Sequence, residues 1–463
     1  LKKLIIFTVF ILPFAGLNAH VTLPAIFSDH MVLQQRATVT IWGWAKPFEV
    51  VTITGSWNPQ KVYSIQVGSQ AEWSLDIETP PAGGPYTLSV KGYNTIEILD
   101  VLIGEVWLGS GQSNMEWTAA MGIDNAEEEI SRADFPQIRF FTVYTSTATC
   151  PQQHLQGAWV ICNPESMKQF SALMYFFGRE LHREMEVPVG LINSSWGGTP
   201  VEIWMPPSRI TGHRLLEENA RQLEPVPWGP IEPGRAYHSM IHPLIPFRIK
   251  GALWYQGEAN TSNADHYATS LATLIESWRN AWGYDFPFYY VQIAPWEGYG
   301  SDNVNGAKVR DQQRKALALS ERTGMVVVSD IGNLQNIHPG NKQEAGKRLA
   351  AWALHYDYGR SELSFSGPLL TSWELEKNRI FLHFDYTDNG LISSDGELRE
   401  FEVLDPSGRW VEAKAYIRGN LVEVEVSIEE PWGIRYAFRN DSQPNLFNGA
   451  GLPASCFEEL FYP

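Results

Sequence analysis

The sequence predicts an α/β protein in which a parallel sheet, covered by helices on both faces, is flanked by an N-terminal and a C-terminal β domain. Between about 104 and 362, short apolar runs alternate with segments of helical period, whereas 20–103 and 363–463 carry only short β-rich runs broken by turn residues. The 463 residues suggest about three domains at roughly 150 residues each. A composition 44% hydrophobic and 13% aromatic supplies a large core and excludes a disordered chain.

Residues 1–19 set Lys2 and Lys3 before an apolar run from Leu4 to Leu17 and end on Ala19, the order of a secretory signal peptide. The expectation is a secreted or periplasmic protein. The run is too short to span a bilayer comfortably and none like it follows, so no membrane insertion is expected. In an oxidising compartment Cys150 and Cys162 are candidates for a pair, leaving Cys456 over.

Within 20–103, the runs Thr38–Trp44, Val50–Ile53 and Tyr86–Val90, punctuated by Pro80-Pro81-Ala82-Gly83-Gly84-Pro85, predict a small β-sandwich. Within 104–362 the expected strands are Glu105–Leu108, Ile138–Val143, Val189–Asn193, Gly251–Tyr255, Phe288–Ile293 and Met325–Ser329. The expected helices there are Phe170–Glu186, His266–Trp282, Lys308–Ser320 and Lys342–His355. Within 363–463, Arg379–Phe384, Phe401–Leu404 and Leu421–Val426 predict the second β domain.

A formal net charge of -17 speaks against a nucleic-acid partner, which would need a basic face. The cysteine spacing is no metal site and H-E-x-x-H is absent, so neither metal nor organic cofactor is expected.

In a parallel sheet, ligands sit beyond the carboxyl ends of the strands, and chemistry-bearing residues gather there. The apolar run Glu105-Val106-Trp107-Leu108 stops at Gly109-Ser110-Gly111-Gln112-Ser113-Asn114-Met115, which sets Ser113 at a tight glycine turn as a candidate nucleophile. G-x-S-x-G is matched only in part, since its last position is Met115, and a dinucleotide fingerprint fails at Asn114. After Val189–Asn193 comes Ser194-Ser195-Trp196-Gly197-Gly198-Thr199-Pro200, where Gly197 and Gly198 let a backbone N–H approach a ligand. After Gly251–Tyr255 come Gln256, whose amide can donate to an oxyanion, and Glu258, whose carboxylate can orient an imidazole. After Met325–Ser329 a loop carries His338, the candidate general base. His238, His242 and His355 read as bystanders in a proline-rich loop and a helix end.

Gly111-Gln112-Ser113-Asn114-Met115, Ser195-Trp196-Gly197-Gly198-Thr199, Trp254-Tyr255-Gln256-Gly257-Glu258 and Ile337-His338-Pro339 resemble the SGNH-hydrolase blocks of the sialate O-acetylesterase family. The opening Leu23–Gln34 and the closing Asn445–Ala454 are similar to that family as well. The resemblance implies an SGNH-hydrolase-like sheet and an esterase that removes O-acetyl groups from sialic acid or related acetylated sugars. It implies Ser113 as nucleophile and His338 as base, with oxyanion donors from the Ser113 N–H, Gly197 or Gly198, and Gln256. The sequence departs from the wider superfamily at Gln335, where an Asp is usual three residues before the histidine. The third triad member is then Glu258, Asp330 or a backbone carbonyl, with Glu258 favoured by the Q-G-E block. An acetyl-xylan or other plant-polysaccharide esterase uses the same blocks, and a non-catalytic sugar-binding protein would use the 18 tryptophans as stacking platforms.

Overall fold

In the computed structural model, residues 20–461 are described; the expected leader at 1–19 lies outside them. Thr95–Gly111 forms one strand of 17 residues whose sequence changes character along its length. Its first part, Thr-Ile-Glu-Ile-Leu-Asp, mixes polar and apolar side chains and is partly exposed; from Val101 onward every residue is buried. The first stretch suits a sheet with one wet face, the second a sheet covered on both. Accordingly, the strand starts antiparallel to Gly83–Lys91 in the N-terminal β module. It ends parallel to Val189–Ser195 on one side and Gly251–Tyr255 on the other. The boundary expected between 103 and 104 therefore falls inside a continuous strand.

Across the central sheet the strand order is Thr323–Val326, Phe288–Val291, Gly251–Tyr255, Thr95–Gly111, Val189–Ser195, Phe135–Thr142, Trp159–Cys162. The neighbours are parallel except for the last pair, where Trp159–Cys162 adds an antiparallel edge strand absent from the sequence expectation. After Thr95–Gly111 the chain runs out to Phe135–Thr142 and Trp159–Cys162, returns to place Val189–Ser195 beside the central strand, and then crosses to build outward on the other side, which opens a crevice at the carboxyl end of the central strand.

Side chains alternate between the two faces. Trp107 packs its ring against Phe177 of the Ala172–Met185 helix and donates its indole N–H to Tyr358 Oη, at the end of the Lys342–Tyr358 helix. Gly109 lies on the same face, where an added Cβ would meet the Met174 sulfur at 2.2 Å. Trp254, in register with Ser110, meets Trp278 of the Tyr267–Trp282 helix on the opposite face. Helices thus cover both faces, with ends within a few residues of the sequence expectation.

The N-terminal β module and the sheet-and-helix unit share one hydrophobic cluster that runs from Val21 to Leu369. The C-terminal β module holds a separate one around Ile380, Leu382, Phe401, Val422, Tyr436 and Phe457. It reaches back by hydrogen bonds: Asn440 Oδ1 accepts the Gly306 N–H at 2.8 Å, and Gln292 Nε2 donates to Ser455 Oγ at 2.8 Å. Cys150 is exposed and Cys162 buried on the edge strand; both are free thiols, so the candidate pair does not form. Among the described residues no helix is long and apolar enough to cross a membrane.

Candidate active site

Gly111 ends the central strand at φ +135°, and a Cβ there would lie 2.2 Å from the Tyr255 carbonyl oxygen, so the turn requires glycine. Gln112 then locks this turn to the next strand's loop. Its N–H donates to Tyr255 O at 3.0 Å, and its Oε1 accepts the N–H groups of Gly257 and Ala259 at 3.3 and 3.1 Å. Ser113 opens a one-turn helix, Ser113–Glu116, and is half-buried at the floor of the crevice.

His338 arrives from the loop after Thr323–Val326 with Nε2 at 2.8 Å from Ser113 Oγ. Its ring lies flat on Trp117, with centroids 4.0 Å apart and planes 16° from parallel. Its backbone N–H donates to Asn336 Oδ1 at 2.9 Å. Burial, with the Lys342 cation as the second cause, brings the imidazole down to about 4, so it is neutral and able to accept a proton at pH 7.

None of the expected third members touches His338 Nδ1 among the described residues. Asp330 is held by Arg348, which donates to both of its oxygens at 2.8 and 2.7 Å. Gln335 Nε2 donates to Glu297 at 2.6 Å. Glu258, the favoured residue, accepts Asn114 Nδ2–H on Oε1 at 2.7 Å, and its Oε2 has no partner among the described residues. Asn114 intercepts it: the same Nδ2 donates to Ile337 O at 3.0 Å, while Oδ1 accepts from the Lys342 ammonium. Sequence reading missed Asn114 and Lys342. Burial pushes the Glu258 carboxyl up, and it brings Lys342 down to about 7 although Glu258 opposes that shift. Lys342 also sits 5.4 Å from the centroid of the Tyr255 ring.

On the other side of Ser113, the Val189–Ser195 strand delivers Trp196-Gly197-Gly198. A Cβ on Gly197 would stand 3.4 Å from Ser113 Cβ, which puts this backbone against the nucleophile. The Gly197 N–H donates to Glu116 Oε2 at 2.7 Å, so this donor is occupied by a carboxylate in the structure. Burial raises the Glu116 carboxyl, and the Gly197 hydrogen bond opposes the rise. Gly198, at φ +69°, turns the chain away, and its carbonyl accepts from Trp228 Nε1–H at 3.1 Å.

Gln256, expected as an oxyanion donor, is buried with its amide fully committed. Nε2 donates to Thr199 O at 3.1 Å and to Asn260 Oδ1 at 2.7 Å, while Oε1 accepts from Tyr267 Oη–H at 2.7 Å. It braces the Gly197-Gly198-Thr199 turn from behind. Behind it, Asn260 Oδ1 accepts the Val201 N–H at 2.9 Å. The amides of Asn260 and Asn263 donate to the two oxygens of Glu202 at 2.9 and 3.0 Å. Glu202 is 1% exposed, and burial raises its carboxyl. This network has no local sequence signature, because it joins residues some 60 positions apart.

A hydroxyl 2.8 Å from a neutral imidazole, at the end of a rigid strand and beside backbone N–H groups, is suited to acyl transfer. Among the described residues no group of three His, Cys, Asp or Glu could hold a metal ion.

Residues 103–355 match the family described as carbohydrate esterase, sialic acid-specific acetylesterase. The sialate O-acetylesterase of Homo sapiens is 31% identical over 396 residues, covering 78% of this chain and 75% of that one. That of Rattus norvegicus is 30% identical over 452 residues, covering 83% of each. The crystal structure of a carbohydrate acetylesterase from Xanthomonas citri, 33% identical, superposes with a TM-score of 0.87 over 96% of this chain and 100% of that one. Fold, coverage and identity agree, and the chain belongs to the sialic acid-specific acetylesterase family of carbohydrate esterases.

Proposed function

We propose that this chain hydrolyses O-acetyl esters of sialic acid or related acetylated sugars through an acetyl-enzyme on Ser113. The observation that carries the serine mechanism is the 2.8 Å contact between Ser113 Oγ and a neutral His338 Nε2. His338 accepts the Ser113 proton as Oγ attacks the acetyl carbon. The tetrahedral oxyanion is met by the Ser113 N–H and by the Gly197 N–H once Glu116 yields it. Collapse expels the sugar alkoxide, which takes the proton from His338. Water, deprotonated by the same imidazole, then attacks the acetyl-enzyme, and acetate leaves with Ser113 regenerated.

Ser113→Ala removes the only hydroxyl in this arrangement. Acetate release from an O-acetylated sialic acid should fall by at least ~10³-fold with the melting temperature unchanged. Turnover near that of the wild type would refute the nucleophile.

A further inference from the structure

Of the 18 tryptophans of this chain eight are buried and eight half-buried; only Trp228 and Trp432 are exposed, and Trp432 belongs to the C-terminal module. Trp228 is 58% exposed, yet nothing about it is loose. It stands in Pro227-Trp228-Gly229-Pro230, where two prolines restrict the backbone. Its indole N–H is spent inward on Gly198 O, and its own carbonyl accepts Trp196 Nε1–H at 3.0 Å. What remains for solvent is the flat apolar ring.

The ring is placed by the reactive serine. Gly197 abuts Ser113, Gly198 is the next residue, and adjacent Cα atoms are about 3.8 Å apart. A Cβ on Gly198 would lie 2.2 Å from Trp228 Nε1, so the glycine is what lets the indole close on this turn. Fixed exposed aromatic area beside a nucleophile is a platform for a ring with an apolar face. A pyranose is such a ring: its axial C–H bonds present an apolar face while its hydroxyls point outward to water.

We infer that Trp228, fixed by Trp196 and Gly198, is the platform on which the pyranose ring of the ester stacks while its acetyl group lies at Ser113. The inference rests on the acetylesterase reading above. Trp228 is then a specificity residue: it selects the sugar and leaves the acetyl chemistry untouched.

The test compares Trp228→Ala and Trp228→Phe with the wild type on three acetate esters: an O-acetylated sialic acid, penta-O-acetylglucose, and ethyl acetate, which has no ring to stack. Acetate release is followed by pH-stat. Trp228→Ala should lower kcat/KM about 10-fold on the sugar esters that the wild type cleaves, mainly through KM. Ethyl acetate should stay within about twofold, and Trp228→Phe should recover most of the loss. Equal losses on sugar and ethyl esters, or no loss on either, overturn the platform. So does a wild type that cleaves ethyl acetate but neither sugar. A wild type inactive on all three refutes the acetylesterase reading instead. Should Trp228→Ala melt early, the Phe variant decides: with normal melting and no discrimination between sugar and ethyl esters relative to the wild type, it overturns the inference.

Discussion

His338 is held by an indole face and a loop hydrogen bond where a carboxylate would ordinarily hold a catalytic imidazole. Two consequences can be measured. With no acid partner among the described residues and with burial and Lys342 both disfavouring its cation, the acid limb of kcat/KM in the wild type should fall near pH 4. Lys342, brought to about 7, is a cation throughout that limb, so Lys342→Met should move the limb upward toward the ordinary histidine range while burial keeps it from arriving there. A limb that stays put shows that Lys342 does not act on the imidazole. Glu258→Gln preserves the hydrogen bond to Asn114 and removes only charge. It should cost far less than the ~10⁴-fold seen when a carboxylate that bonds a catalytic histidine is neutralised. A loss of that size would return Glu258 to the role expected from sequence. Ser113 and His338 were legible because each follows a strand end in a short motif. Asn114 and Lys342 were not: a helix-start lysine and an asparagine next to the serine become informative only when folding buries them in one chain of contacts, Lys342 to Asn114 and Asn114 to Glu258.

The elements are positioned by the polar network behind them. Gln256 links the loop after Gly251–Tyr255 to the turn after Val189–Ser195, and Gln112 links that loop to the turn bearing Ser113. Gln256→Ala would leave Thr199 O short of a partner in a buried site, at a cost of about 1–3 kcal/mol. Thermal melting should fall accordingly, and kcat should drop because the Gly197 turn loses its brace. Unchanged melting with a large fall in kcat would instead make Gln256 a direct donor to the reacting oxygen. At this scale the sequence was readable where periodicity was strong: Gly251–Tyr255 and Tyr267–Trp282 stand where the apolar pattern put them, within a residue. It was silent on Trp159–Cys162, four β-prone residues too few to show a period, whose place at the sheet edge is set by pairing with Phe135–Thr142. The amide roles inverted for the same reason. Residue type marked Gln256 as a donor, but the partners it donates to lie on other elements.

Among the described residues, two hydrophobic clusters serve three sequence regions. The N-terminal β module shares its core with the sheet-and-helix unit, so a chain lacking 20–103 should not fold: it would expose Phe247, which packs on Phe27, and Trp159, whose indole N–H donates to Ile26 O, and would cut the central strand short. Circular dichroism and size-exclusion chromatography of that deletion check this, and a monodisperse, cooperatively melting product would contradict it. The compositional break near 104 was visible in sequence and the covalent path through it was not, because one strand can pass from a half-wet sheet to a fully covered one without a turn. That strand, Thr95–Gly111, ends two residues before Ser113. It also decides where genes for such proteins can be recombined: a crossover at 103/104 would join two halves of a single hydrogen-bonded ladder drawn from different parents. Register errors of one residue would then invert every side chain up to the nucleophile. Productive chimaeras should carry 20–362 as one inherited block, with exchange confined to the C-terminal module.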